Sequence, residues 1–247
     1  MIISEKNERI DYLFDSEYKI IQSKDVFSFS IDAVLLAKFV SLPLRKGSII
    51  DLCTGNGAVA LMMALRTKAQ ITGVELQERL ADMAKRSVTL NQLDEQVNII
   101  CSDIKALPAF DSIHQCDVVT CNPPYFSNQQ TVKRNPNPSL AIARHEIHLT
   151  LEEAIQVSSQ LVRQKGKVAF VHRPERLGEI LALMPQYRLF PKRLLFVYPK
   201  RGKEANIMLI EATKDGRPGI KVLPPLYIYD EEGCYTKELL TLASHRD

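Results

Sequence analysis

The chain has 247 residues, 45% of them hydrophobic and 25% charged, and a net charge of +3, which suits one large α/β domain with an ordinary core and permits a nucleic-acid partner without arguing for one. Its five cysteines (Cys53, Cys101, Cys116, Cys121, Cys234) form an odd set with no CxxC pair, so neither a disulfide framework nor a zinc site is expected. The N-terminus lacks a signal-peptide pattern, and no apolar stretch approaches the roughly 20 residues that span a bilayer; a cytoplasmic protein with no metal and no membrane contact is expected.

Residues 8–28 are polar and aromatic, with a strand pair around Tyr18-Lys19-Ile20-Ile21. Ser30 is placed to cap a helix from Ile31 to about Val40, with Asp32 in its first turn, where a negative charge suits the helix dipole. The periods then alternate. Ser48–Leu52 is a short buried strand running into the turn Cys53-Thr54-Gly55-Asn56-Gly57, followed by a helix from Ala58 to about Thr67. Gln70–Val74 is a second strand ending at Glu75, Leu76–Asn91 an amphipathic helix, and Val97–Cys101 a third strand ending at Asp103. Asp117–Cys121 is a fourth strand that enters Asn122-Pro123-Pro124-Tyr125, and the polar segment 126–149 is too long for a plain connection. A helix over Leu151–Leu161, a strand over Lys167–Val171, a helical run opened by Pro174, strands at 193–198 and 205–212 and a short helix near 236–243 complete the chain. This pattern predicts a mostly parallel sheet with an antiparallel edge hairpin and helices on both faces. No linker divides it: 1–46 is an extension, 47–213 the core and 214–247 a tail of a single domain.

The glycine turn at Asp51–Gly57 lets a ligand approach the backbone at a helix N-terminus, on the carboxyl side of the strands. No Gly-Lys-Ser/Thr follows, and the third glycine of the dinucleotide fingerprint is missing. Asp51 would repel a pyrophosphate but can face an ammonium or sulfonium group. Glu75 is placed to accept from the hydroxyls of a ribose; Asp103 can accept from an adenine amino group or simply cap a turn, with Ile104 packed on the ring. Three acidic residues ending three successive strands beside one glycine turn point to S-adenosylmethionine.

Asn122–Tyr125 carries the sharper signal. Two prolines fix the backbone, so the Asn122 side-chain oxygen and the Pro123 carbonyl can accept both hydrogens of a planar NH₂ group. That holds the nitrogen in line with a methyl donor and lets its delocalised lone pair localise as attack begins, without a strong general base. Tyr125 and Phe126 can stack on the planar target, which would be extruded if it is a base. The basic residues Lys133, Arg134, Arg144, His145, His172, Arg173, Lys192, Arg193, Lys200, Arg201 and Lys203 read as a solvated surface, gripping phosphates only if several share the rim of the site.

Asp51–Gly57, Glu75, Asp103 and Asn122–Tyr125 together resemble the class I amino-methyltransferases of the small-domain group, with their Rossmann-like fold, and Phe29–Leu36 looks like the N-terminal cofactor-side motif. The stretches Ala141–Glu146, His172–Leu177 and Val222–Leu226 resemble the Gram-positive branch of bacterial valine-tRNA adenine N6-methyltransferases. The resemblance implies N6-methylation of the adenine just 3′ of the anticodon, position 37, with tRNA as partner. Carried over, it implies Asp32, Asp51, Cys53, Gly55, Gly57, Glu75, Leu76, Asp103, Ile104 and Asn122 at the cofactor. It also implies Asn122, Pro123, Pro124 and Tyr125 at the reacting amine, and Tyr125, Phe126, Arg144 and His145 against the substrate. Cys53 departs from the pattern, standing where such loops commonly have glycine or alanine.

The loop chemistry alone does not separate an adenine amine from a glutamine amide. Glutamine methyltransferases of release factors share the tetrapeptide but carry a long helical domain before the glycine loop, whereas 50 residues precede Asp51 here. Methylation of a ribosomal RNA base and a non-catalytic RNA-binding module remain the other readings.

Overall fold

The computed structural model describes residues 7–14, 16–26, 30–109, 115–123, 125 and 149–243. The expected Phe29, Pro124, Phe126, Lys133, Arg134, Arg144 and His145 contributions lie outside the described residues.

The chain opens with an antiparallel hairpin, β1 (Glu8–Tyr12) and β2 (Lys19–Ser23), and then helix α1 (Ile31–Phe39). Four β–α or β–turn units follow: β3 (Ser48–Leu52) with α2 (Ala58–Ala64), β4 (Gln70–Glu75) with α3 (Glu78–Leu90), β5 (Val97–Cys101) with a 3₁₀ turn over Ile104–Ala109, and β6 (Cys116–Cys121). After the loop come α4 (Leu151–Leu161), β7 (Val162–His172), a 3₁₀ turn at Pro174–Arg176, α5 (Leu177–Gln186), β8 (Leu189–Tyr198) and β9 (Ile207–Lys214). Two short strands, β10 (Lys221–Val222) and β11 (Leu226–Tyr227), precede α6 (Lys237–Ala243).

The sheet runs β5-β4-β3-β6-β7-β9-β8, with β10 and β11 both parallel to the outer side of β8. Every pairing in it is parallel except those of β9, which is antiparallel to β7 and β8. The expected hairpin is thus β8–β9; its returning strand β9 sits inside the sheet, and the two-residue strands β10 and β11 form the rim beyond it.

Alternation along the strands splits the core into two layers. Val118, Ala169 and Val171 face one layer with Val34 of α1, Val59 of α2, Ala84 of α3 and Leu239 of α6. Val119, Val168 and Phe170 face the other with Ile155 of α4 and Ile180 of α5. Residues after 214 join the first layer through Leu226, Ile228 and Leu239.

One local reading changes. Ser30 stands at the N-cap of α1 but makes no side-chain capping bond, and its hydroxyl is buried without a partner among the described residues. The full cap belongs instead to α4, where Thr150 Oγ1 accepts from the Glu153 N–H and the Glu153 carboxylate accepts from the Thr150 N–H.

The hairpin is fastened to α3. The Asn91 side chain accepts from the Lys19 N–H and donates to the Lys19 carbonyl, as an adjoining strand would. The Ser87 hydroxyl accepts from the Ile21 N–H. Arg86 makes a two-pronged bond to Glu8 at 2.7 and 2.8 Å, with the Glu8 side chain only 1% exposed.

Candidate active site

The parallel strands end on one rim. Leu52 of β3 pairs with Cys121 of β6, so the glycine turn and Asn122 leave the sheet side by side. Asp51, one residue back, is fully buried. Its two oxygens accept the hydroxyls of Thr54 and of Thr120, both at 2.6 Å, Thr120 being its partner in the β3–β6 register. Burial pushes its carboxyl up to about 7, against the pull of the two hydroxyls. Asp51 therefore does not face the cleft directly as the sequence suggested; it braces the turn and sets the charge beneath it.

That brace requires Gly73 opposite, because a Cβ there would stand 2.9 Å from Thr54 Oγ1 and 2.8 Å from Ile99 Cδ1. Gly57 takes φ +90 as it opens α2, and a Cβ would press on Ala84 of α3 at 3.3 Å. Cys53 adopts φ 56, a left-handed conformation that costs a cysteine more than a glycine; its side chain packs on the second core layer. Asn56 is buried and donates to the Ile21 carbonyl, tying the turn to the N-terminal hairpin.

Glu75 ends β4 at 7% exposure and accepts from the Gly55 N–H and the Gln77 N–H, both at 2.9 Å. The Leu76 N–H also bonds to this carboxylate, whose roughly four acceptor sites still leave room for a hydroxyl. Burial raises its pKa. Leu76 beside it is 40% exposed and offers an apolar surface. At the end of β5, Asp103 accepts from the Lys105 N–H, capping the 3₁₀ turn, and its side chain remains 42% exposed. Ile104 is 5% exposed and packs in the core with Val74 and Leu107, so its side chain points inward rather than along a ring.

At Gly55 nothing stands within 4 Å of a would-be Cβ, so the turn is open on the cleft side. An open glycine backbone, a carboxylate with free lone pairs at the next strand end, an exposed leucine beside it and a buried acid below the turn fit an adenosine carrying a cationic tail.

On the β6 side, the Tyr125 hydroxyl lies 2.9 Å from Asp32 Oδ2 and 2.5 Å from Asn122 Oδ1. A phenol has one hydrogen and burial keeps it there, so it can donate to only one of these oxygens. With the Asn122 amide turned over, its NH₂ donates to the phenol, the phenol donates to Asp32, and the amide oxygen is left for an incoming amine. Asp32 thus meets the tetrapeptide, which the sequence alone did not indicate. One face of the Tyr125 ring is covered by the Arg173 guanidinium, 4.7 Å from its centroid, and the His172 ring meets it at 5.3 Å in an edge-on arrangement.

The basic residues divide. Arg193 lies in β8 over the Phe39 ring and bonds to Ser41 and to Glu211, which is 3% exposed, so it is committed to the core. Lys192 bonds to the Arg217 carbonyl. His172 is buried at the end of β7. Lys200, Arg201 and Lys203 are exposed on the β8–β9 turn, and Arg173 bonds to the Asn206 carbonyl where that turn enters β9. Sequence reasoning missed Thr54, Thr120 and Asn56, and it placed His172, which is buried, on a solvated surface. A hydroxyl in the β6 apolar run was the one available signal for Thr120.

A glycine turn after β3, an acidic residue ending β4 and a proline-fixed asparagine after β6, on a sheet of this order with one inserted antiparallel strand, define a class I S-adenosylmethionine-dependent methyltransferase. Solved structures share the fold. A predicted O-methyltransferase of Agrobacterium tumefaciens superposes with a TM-score of 0.67 at 23% identity, over 87% of this chain and 98% of its own. The M. jannaschii tRNA m1G37 methyltransferase superposes with 0.60 at 14% identity, over 87% and 59%. The chain belongs to the methyltransferase small domain family, whose model matches residues 17–177. Among curated relatives, a tRNA1(Val) (adenine(37)-N6)-methyltransferase of Shewanella halifaxensis is 30% identical over 73% of this chain and 72% of its own. Proteins of the same name from Tolumonas auensis and Bacteroides thetaiotaomicron are each 28% identical, covering 92% and 93% of this chain and 92% and 89% of their own. The chain is thus an enzyme that takes its methyl group from S-adenosylmethionine.

Proposed function

We propose that this enzyme methylates N6 of an adenine in tRNA, the one at position 37 of valine tRNA, by in-line transfer to a flipped base. The relatives' names supply the substrate, at 28% identity over nine-tenths of both chains. The observation that carries the chemistry is the register of Leu52 with Cys121, which sets the Asn122 amide beside the cofactor turn.

In this reading Gly55 and Gly57 shape the turn against the cofactor, Cys53 and Asp51 support it, and Glu75 accepts its ribose hydroxyls. Leu76 and Asp103 border its adenine. The backbone at Ile104 takes the place its side chain leaves. When bound, S-adenosylmethionine supplies an electrophilic methyl group on a sulfonium. The chain's own part is positional. Asn122 oxygen and the Pro123 carbonyl hold the two hydrogens of N6, drawing its lone pair out of the ring toward the methyl carbon. As the N–C bond would form and the methyl–sulfur bond break, its electron pair leaving on a neutral thioether, the nitrogen would become acidic, and one of those hydrogens would leave as a proton through the acceptors already holding it. Tyr125 keeps the Asn122 amide oriented through Asp32. By resemblance Pro124 is assigned to the reacting amine, and Tyr125, Phe126, Arg144 and His145 to the substrate side. Residues 1–247 act as one catalytic unit, and a tRNA substrate places that unit in the cytoplasm.

Incubation of tRNA with the protein and labelled S-adenosylmethionine, followed by nucleoside mass spectrometry, should yield N6-methyladenosine. Label confined to protein would instead favour glutamine methylation, and label in ribosomal RNA alone would move the substrate. Asn122→Ala should slow single-turnover transfer about a hundredfold or more, with cofactor affinity nearly intact; transfer at the wild-type rate would remove Asn122 from the proposed role.

A further inference from the structure

His172 was expected among loop basics, yet it ends β7 at 1% exposure. Its Nδ1 accepts the Arg173 N–H at 2.8 Å, so the hydrogen of the neutral ring resides on Nε2. Burial first, then the nearby Arg176, pushes the imidazolium pKa down to about 3, so the ring stays neutral at any working pH. Nε2 is buried and has no hydrogen-bond partner among the described residues. A buried N–H donor left without a protein partner is unfavourable, and such a group in a native fold calls for a partner from outside it.

The place of this donor indicates that partner. Its ring stands 5.3 Å from the Tyr125 ring, whose hydroxyl touches the Asn122 amide at 2.5 Å. The Tyr125 side chain is itself an aromatic ring with a hydrogen-bonding tip on Asn122, flanked by Arg173 and His172. A planar base presenting its amine to Asn122 would lie within reach of the same two neighbours. We propose that His172 Nε2–H is a specificity-determining donor that binds N7 of adenine, the ring nitrogen on the other side of the target amine from N1. A glutamine amide presents its carbonyl oxygen, and guanine its N3, beside the amine in the place of adenine N1, but neither has an acceptor in the place of N7. A bond to N7 therefore adds the discrimination that the Asn-Pro-Pro-Tyr chemistry lacks. This inference rests on the adenine reading above.

The test uses an anticodon stem-loop carrying adenine, 1-deazaadenine or 7-deazaadenine at the target position, with wild-type protein, His172→Leu and His172→Gln. Coupling between protein and base changes is the readout, since removing a ring nitrogen also alters the amine. The 7-deazaadenine substrate should lose about tenfold in kcat/KM with wild-type protein relative to 1-deazaadenine, as for one hydrogen bond. His172→Leu should lose about as much on adenine and little more on 7-deazaadenine, and His172→Gln, which keeps an N–H at similar reach, should recover most of it. An equal penalty for His172→Leu on all three substrates would overturn the contact, as would a wild-type loss confined to 1-deazaadenine or turnover indifferent to both analogues. Should His172→Leu fail to fold, His172→Asn, whose shorter amide falls short of the Nε2 position, runs the same cycle. Turnover of a glutamine peptide in place of the adenine stem-loop would overturn the adenine reading itself, and the contact with it.

Discussion

Asp51 is fully buried, with its oxygens on Thr54 and Thr120 and the Glu75 charge nearby, which adds to the rise of its carboxyl to about 7. Folding therefore favours its protonated form. The folded-state value lies above the ordinary carboxylate value, so this contribution is complete below about pH 4 and is lost as the pH rises through 7. The full shift corresponds to on the order of 4 kcal/mol. Groups held low, such as Asp117 and Glu179, act in the opposite sense and lose their contribution as the pH falls into the acid range. Between pH 5 and 8 the thermal stability of the free protein should decline relative to Asp51→Asn, whose amide does not titrate; parallel Tm curves for the two proteins would refute it. A cationic cofactor favours the ionised acid, so wild-type affinity should strengthen over the same window and that of Asp51→Asn should not, as calorimetry would register. The aspartate was visible in the sequence as the last polar residue of a strand. Its partners were not: Thr120 is 69 residues away and reaches it only through the β3–β6 register.

The N-terminal hairpin acts on the site as an element. It grips α3 through Glu8–Arg86, Ser87 and Asn91, and it receives Asn56 from the glycine turn at the Ile21 carbonyl. Ile21 and Val26 also pack on Leu80 and Met83 of α3. Cutting Glu8 removes the two-pronged partner of a half-buried guanidinium that also pairs with Asp82 in the i,i+4 position, so Glu8→Ala should cost about 2–4 kcal/mol of stability. Hydrogen exchange should quicken across Lys19–Ser23 before the central strands, and cofactor affinity should fall because the turn loses its brace; unchanged exchange in β2 would show that Asn91 and the apolar contacts suffice. Strands and helices of the core were readable because their apolar periods are undisturbed by turns, and the strand pair near Tyr18 was readable too. The hairpin's attachment was not, since it depends on three polar side chains of α3 that look like an ordinary solvent face. Likewise β7 begins at Val162, earlier than its apolar run, through the pairing with Cys116; Arg163–Lys165 then bulge out of register, with Lys165 at φ 63, before Lys167 rejoins β6 opposite Val118.

Across the whole molecule, the order of the sheet decides which basic residues share a rim. Met208 of β9 pairs with both His172 of β7 and Phe196 of β8, so the residues that follow those two strands, Arg173 and Lys200–Lys203, emerge on the same side as Asn122. Sequence could list these cations but not sort them, because their grouping depends on β9 returning between β7 and β8, a pairing set by contacts some 40 residues apart. The sorting has a measurable consequence. If Lys200, Arg201 and Lys203 contact RNA phosphates, each releases condensed counterions, and removing all three should flatten the slope of log affinity against log salt by about 2–3. Methyl transfer to saturating RNA should survive, since among the described residues none of the three bonds to Asn122 or Tyr125. Arg193→Ala is the matched control: its guanidinium is bound to Glu211, Ser41 and the Phe39 ring, so it should lower Tm and leave the salt slope as it was. A triple variant with the wild-type salt slope would assign the RNA grip to other residues, while a change in slope for Arg193→Ala would undo the sorting by strand order.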